Sequence, residues 1–180
     1  MFKKIFFILE CSRVFSLPMT VFSWLVAYSY AVKNSGNLWF GLLALAGICL
    51  AHLGANTLDD LFDYKSLIKR VDFDKKEYLK NTQKTKCRYI VSGMLNESDV
   101  VSIILTYFGL AGLIGLFFFI RCGTPVLYYG IGAGIIILLY SFLSRIRMSE
   151  IAIALVYGPL LFGGVIYVMT KIISSEVFIL

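Results

Sequence analysis

Charge is scarce in this chain, and acid is scarcer. Only 16% of its 180 residues are charged, and beyond Asp99 there is no aspartate, which leaves Glu150 and Glu176 as the remaining acids. With 59% hydrophobic residues, this composition excludes an ordinary soluble domain, whose core does not need such long apolar runs. The formal net charge is +6, but the basic residues fall in blocks between apolar stretches. That is the pattern of loops facing anionic headgroups and not of a nucleic-acid surface; no nucleic-acid motif is present and no such partner is expected. Cys11, Cys49, Cys87 and Cys122 stand singly, without CxxC spacing, which argues against a zinc site or a disulfide framework. The basic start, Met1 to Glu10, lacks a small-residue cleavage site, so an uncleaved amphipathic segment on the membrane surface is expected. Internal repeats and low-complexity tracts are absent as well.

What remains is apolar length. Five stretches are long enough to cross a bilayer, at about Leu17–Val32, Leu38–Leu58, Val100–Ile120, Val126–Leu143 and Ile151–Met169. The expected fold is therefore all-α, a polytopic transmembrane helix bundle forming one membrane domain over residues 1–180, with residues 64–99 as a polar loop. Fourteen of the seventeen Lys and Arg residues fall before span one, in that loop, or before span five. The positive-inside rule then predicts a cytoplasmic N-terminus and loop, in a multi-pass protein expected in the cell (inner or plasma) membrane. Glycines recur in the later spans (Gly109, Gly112, Gly115, Gly130, Gly132, Gly134, Gly158, Gly163, Gly164), and close helix packing is the expected reason. Pro18 suits a first helical turn, whereas Pro159 should kink span five.

Against this apolar background the end of span two stands out. Asn56, Asp60 and Asp63 are spaced i, i+4, i+7 and share a helix face, with Asp59 and His52 at its edge. An acidic residue at the bilayer centre costs about 2.5–3.5 kcal/mol on insertion scales and less near the interface, so such a cluster calls for a metal, a wet cavity or paired charge. Idle carboxylates are a poor choice at a helix C-terminus, where the dipole already carries negative charge. Magnesium prefers oxygen ligands, keeps several waters and is held by one or two carboxylates together with substrate phosphates. Nearby basic residues could meet the remaining phosphate oxygens. Together these features predict a diphosphate at the membrane surface with an apolar tail in the bilayer. His52 is expected to be a hydrogen-bonding residue and not a metal ligand.

The run Asn56-Thr57-Leu58-Asp59-Asp60-Leu61-Phe62-Asp63-Tyr64-Lys65-Ser66, followed by Asp72, resembles the first aspartate-rich motif of the UbiA superfamily of intramembrane prenyltransferases, closest to the branch that acts on 1,4-dihydroxy-2-naphthoate in menaquinone biosynthesis. Arg13 to Pro18, Ala51 to Asn56, Arg88 to Leu95 and Glu150 to Leu160 resemble further segments of that family, in order along the chain. The resemblance implies an enzyme that moves a polyprenyl group from its diphosphate to an aromatic quinone precursor, with Mg2+ as cofactor. Asn56, Asp60 and Asp63 would be the catalytic set, and Asn56, Asp59, Asp60, Asp63 and Asp72 the metal ligands. Arg13, Lys65 and Lys69 would contact the diphosphate. Polyprenyl diphosphate, the aromatic acceptor and the lipid bilayer are the implied partners.

The resemblance also implies about nine spans and a second acidic motif on a later helix. Five spans and no aspartate after Asp99 suggest the N-terminal half of such a bundle, a truncated product expected to be weakly active or inactive unless a second chain supplies the missing motif. Two other classes compete. A CDP-alcohol phosphotransferase also puts acids at a cytoplasmic helix end, but its Asp-Gly-x2-Ala-Arg continuation is absent, since Asp63 is followed by Tyr64-Lys65-Ser66. A non-catalytic cation-binding or transport half-unit fits the lack of later acids.

Overall fold

The computed structural model describes residues 12–81 and 87–173; the expected surface segment at Met1–Glu10 lies outside them. The described residues are helical without strands, and five helices are long and apolar enough to cross a membrane: Val14–Lys33, Leu38–Leu67, Glu97–Cys122, Pro125–Ser144 and Ser149–Thr170. The helices are α1 (Leu17–Lys33), α2 (Leu38–Leu67), α3 (Lys75–Lys80), α4 (Arg88–Val91), α5 (Glu97–Cys122), α6 (Pro125–Arg145), α7 (Ser149–Leu155) and α8 (Leu161–Thr170). The outer faces of α5 and α6 carry exposed Leu105, Leu113, Ile120, Ile131, Leu138 and Phe142, an apolar exterior that only a lipid solvent accommodates.

Local chemistry sets the helix ends. Pro18 stands in the first turn of α1, where its missing N–H costs nothing. The Asn37 side chain caps α2 by accepting from the Phe40 N–H at 3.1 Å, and Asn96 with Asp99 forms a capping box at the start of α5. Gly123 (φ 89°) closes α5 and lets the chain turn straight into α6, which opens on Pro125. As expected, the fifth span is broken at Pro159. Residues Val156–Leu160 form a widened π-turn in which Gly158 departs from helical geometry (φ −88°, ψ −106°), the usual response to a proline inside a helix.

Span two departs from expectation in length. It does not stop near Leu58 but continues to Leu67. Thirty residues rise about 45 Å at 1.5 Å each, against a hydrocarbon thickness of about 30 Å. If Leu38 sits at one boundary, Asn56 lies near the other and Asp60 and Asp63 emerge beyond it. The polar loop is also not structureless. Asp74 caps α3 by accepting from the Lys76 and Glu77 N–H groups, and α3, α4 and the start of α5 fold back on Leu61, burying Tyr78, Tyr89, Ile90, Val91 and Leu95.

α2 packs most extensively on α5, and α1 on α8. A second apolar core closes the opposite end of the bundle around Trp24, Ala27, Phe118, Val165 and Ile166. There the Trp24 indole donates to Gly41 O at 2.9 Å, and the Tyr167 hydroxyl to Cys122 O at 2.6 Å. The glycines correct the packing expectation. Gly132 and Gly163 do meet neighbours closely, at 3.1 Å from Leu160 and 2.6 Å from Tyr129, but Gly109, Gly112, Gly115, Gly130, Gly134 and Gly158 have no atom within 4 Å of where a Cβ would stand. Tight approach is instead made on α2, where Gly41 faces Tyr28, Gly47 faces Ile114 and Gly54 faces Phe108. Gly112, Gly115, Gly130 and Gly134 line a cavity; the small residues keep it open.

Candidate active site

All five spans contribute to a cavity of about 570 Å³. Along α5, α6 and α8 its wall is apolar and built largely of small or aliphatic residues. Most of its polar groups gather where α1, α2 and the π-turn meet, namely Ser16, Thr20, His52, Asn56, Asp59 and Tyr157, while Tyr129 and Tyr140 add two phenols on α6. A pocket of this kind, mostly apolar with a few converging polar groups, is the default place for an amphiphilic ligand.

The structure sorts the expected acidic stripe onto two sides of α2. Asp60 is 2% exposed; its Oδ1 pairs with Arg13 Nη2, and its Oδ2 accepts the Cys87 N–H at 3.3 Å. Asp59, the next residue and about 100° around the helix, lines the cavity instead. Its Oδ1 accepts from Ser141 Oγ of α6 at 2.8 Å, and Arg13 Nη2 stands 3.9 Å from its Oδ2. Arg13 therefore lies between two buried carboxylates, offsetting a charge that burial alone would penalise heavily. Both residues that grip Asp60 have left-handed backbones, Arg13 at φ 55° and Cys87 at φ 46°. A non-glycine residue adopts that region at a cost of about 1–2 kcal/mol, and strain of this sort concentrates at functional sites.

Asn56 is fixed by its amide nitrogen, which donates to Ser12 O at 3.2 Å and to Ser16 Oγ at 3.0 Å. With both N–H bonds engaged, its carbonyl Oδ1 is the atom offered to a ligand in the cavity. Asp63 is half-buried beyond the rim. Lys65 is exposed and lies 4.0 Å from Glu97, a surface pair of small energetic consequence. Lys69 and Asp72 are exposed at and past the end of α2.

Among the described residues no three His, Cys, Asp or Glu side chains converge on a point where a metal ion could sit; the expected five-residue ligand set is not assembled. Two oxygen donors, Asn56 Oδ1 and the Asp59 carboxylate, do face the same cavity. They fit a magnesium ion that arrives already coordinated by a diphosphate, because such an ion needs only one or two protein ligands. The partners Ser12, Ser16, Thr20, Ser141 and Tyr157 carried no acidic or repeat signal of their own. Ser16 and Tyr157 fall inside the segments Arg13–Pro18 and Glu150–Leu160, while nothing in the sequence marks Ser141.

The fold and site together define a multi-pass membrane protein with a polar-ended cavity between its spans. The chain belongs to the UbiA prenyltransferase family, whose profile matches residues 20–180. Members of that family are membrane prenyltransferases that use a prenyl diphosphate and an aromatic acceptor. No curated protein and no solved structure matches the chain.

Proposed function

We propose that this chain binds a polyprenyl diphosphate and directs its prenyl group to an aromatic quinone precursor, 1,4-dihydroxy-2-naphthoate, in menaquinone biosynthesis at the cell membrane. The observation that carries the reading is the division of the cavity, with Asn56, Asp59 and His52 at one end and a glycine-lined wall, apolar except for the Tyr129 and Tyr140 phenols, for the rest. A diphosphate head at the rim and an isoprenoid tail within match that division. The basic loop then faces the cytoplasm, where the diphosphate would arrive.

In this reading Asn56 Oδ1 and Asp59 hold the Mg2+–diphosphate from the cavity side, Asp63 does so from the rim, and Asp60 acts through Arg13, which it fixes beside them. Magnesium, when bound, neutralises the negative charge that grows on the leaving diphosphate. Arg13, already between Asp59 and Asp60, is poised to share its second face with a phosphate oxygen, a geometry guanidinium groups favour. Lys65 and Lys69 are the exposed cations beyond it, and Asp72 is the outlying acid. Further carboxylates, from a second chain in an assembly, would complete a tighter metal site and raise a weak intrinsic activity. The apolar wall excludes water from the reacting carbon, which prevents simple hydrolysis of the diphosphate.

Calorimetric titration of geranylgeranyl diphosphate into the chain in lipid nanodiscs tests the assignment. Saturable binding that requires Mg2+ is expected for the native chain, with loss of at least about tenfold in affinity for the Asp59→Asn, Asp63→Asn double variant. Equal affinity in native and variant chains, with or without Mg2+, would contradict it.

A further inference from the structure

One polar cluster in the cavity has no part in holding a diphosphate. His52 sits four residues before Asn56 on α2, about 6 Å deeper in the span. Its Nε2 lies 2.6 Å from Ser16 Oγ and its Nδ1 lies 2.8 Å from Thr20 Oγ1, with the Tyr157 hydroxyl also against Nδ1. Proton accounting fixes the imidazole. The single Ser16 O–H donates to Arg13 O at 2.8 Å, so Ser16 Oγ can only accept, and it accepts from the Asn56 amide and from His52 Nε2–H. In the neutral imidazole this arrangement puts the hydrogen on Nε2 and the lone pair on Nδ1. Two hydroxyls reach that one lone pair, Tyr157 and Thr20, and they are hydrogen-bonded to each other at 3.3 Å, so Tyr157 can give its proton to Nδ1 while accepting from Thr20.

Tyr157 stands in the π-turn created by Pro159, where the helical ladder is already broken, so its phenol is held by side-chain contacts and not by a rigid helix face. A phenol of the protein thus occupies a hydrogen-bond acceptor at the wall of an apolar cavity, next to Asn56. We infer that His52 Nδ1 is the docking point for the hydroxyl of an aromatic acceptor, and that Tyr157 fills that point when the cavity holds no acceptor. The inference rests on the prenyl-transfer reading and deepens it, by naming where the ring sits: one helical turn below the diphosphate. A hydrogen bond given by the ring hydroxyl to Nδ1 leaves more electron density on the ring, which favours attack through carbon. Thr20, completely buried, lies within reach of both Nδ1 and the Tyr157 hydroxyl and so stands beside the docking point whichever phenol fills it. The ligand class is a phenol or hydroquinone able to donate from its oxygen.

The two members of the pair make opposite predictions. With the chain in nanodiscs, binding of 1,4-dihydroxy-2-naphthoate is followed by its fluorescence, and 1,4-dimethoxy-2-naphthoate serves as the analogue that cannot donate. The dihydroxy compound is expected to bind about tenfold more tightly than the dimethoxy one, and His52→Leu to erase that preference. Tyr157→Phe removes the internal competitor and is expected to tighten dihydroxy binding by about fivefold, where a purely structural tyrosine would leave it unchanged or weaken it. Equal binding of the two compounds by the native chain, or unchanged or weaker binding in Tyr157→Phe, would overturn the inference. Should His52→Leu fail to fold, the sign of the Tyr157→Phe effect still decides. Mg2+-dependent binding of geranylgeranyl diphosphate is measured on the same samples. If it persists while the naphthoate preference is absent, the acceptor site falls and the diphosphate reading stands; if it is absent too, the functional reading itself fails.

Discussion

Where α1, α2 and α8 pack, a Cβ on Gly41 would lie 2.5 Å from the Tyr28 ring and 2.7 Å from Met169 Sδ, whereas around the cavity Gly112, Gly115, Gly130 and Gly134 face empty space. The same contrast separates neighbouring acids. Asp60 is locked by Arg13 and the Cys87 N–H, while Asp59 shares a wall with the cavity. One residue type therefore serves two opposite ends, close contact in the packed wall and free volume in the open one. What decides is which helix face the bundle closes on. A substrate-sized void in a membrane protein costs dispersion contacts, and here the two apolar cores at its ends hold the bundle together around it.

The sharpest way to break this contrast is to exchange the acids. Asp60→Asn leaves Arg13 beside a neutral amide and should lose about 3 kcal/mol of stability in denaturant unfolding, since removing one partner of a buried pair strands the other. Asp59→Asn keeps the Ser141 contact and should lose less than about 1 kcal/mol. Equal losses would show that the two acids are not divided between a locked and an open side. Next in size is the glycine pair. Gly163→Val pushes into the Tyr129 ring and should destabilise by about 1–3 kcal/mol, while Gly112→Val enters open cavity and should change stability by less than about 0.5 kcal/mol. The cavity variant should instead shorten the longest prenyl diphosphate bound, read by competition between chain lengths.

The smallest effect belongs to the loop. Tyr78 of α3 is buried in the loop core with Leu61 and α4, its hydroxyl 3.7 Å from Cys87 Sγ, and burial pushes its phenol above the usual tyrosine range. Its stabilising contribution is present below the unfolded value of about 10 and is lost as pH rises past it toward the folded value. Tyr78→Phe should therefore flatten the onset of the alkaline fall in stability, measured as unfolding midpoint against pH, by a few tenths of a kcal/mol at about pH 10. An unchanged alkaline limb would remove Tyr78 from that account.

Much of the fold was legible because a bilayer demands about 20 apolar residues per span, and Pro18 and Pro159 act through local backbone rules. The far end of α2 was not, because charge normally signals departure from a membrane helix. Here the helix continues to Leu67 while Arg13, Ser141 and the Cys87 N–H satisfy its acids from remote parts of the chain. Arg13 and Asp60 are 47 residues apart in sequence, and Asp59 and Ser141 are 82 apart, separations no periodicity reveals. Spacing alone grouped Asn56 with Asp60, yet the partners that reach α2 from either side put Asn56 and Asp59 on the cavity. Glycine composition likewise marks small surface without saying whether a helix or a void lies against it. The His52 cluster was visible only as a lone histidine, since its meaning depends on the proton of Ser16.

The central claim is that this cavity takes a prenyl diphosphate with its head at Asn56 and Asp59 and its tail along α5 and α6. A prenyl diphosphate carrying a diazirine at its tail end, photolysed with the chain in nanodiscs and mapped by mass spectrometry, tests it directly. Mg2+-dependent labels are expected on cavity residues such as Gly115, Val126 or Ala133, and are lost in Asn56→Ala. Labels confined to lipid-facing Leu113 or Leu138 and indifferent to Mg2+ would contradict it.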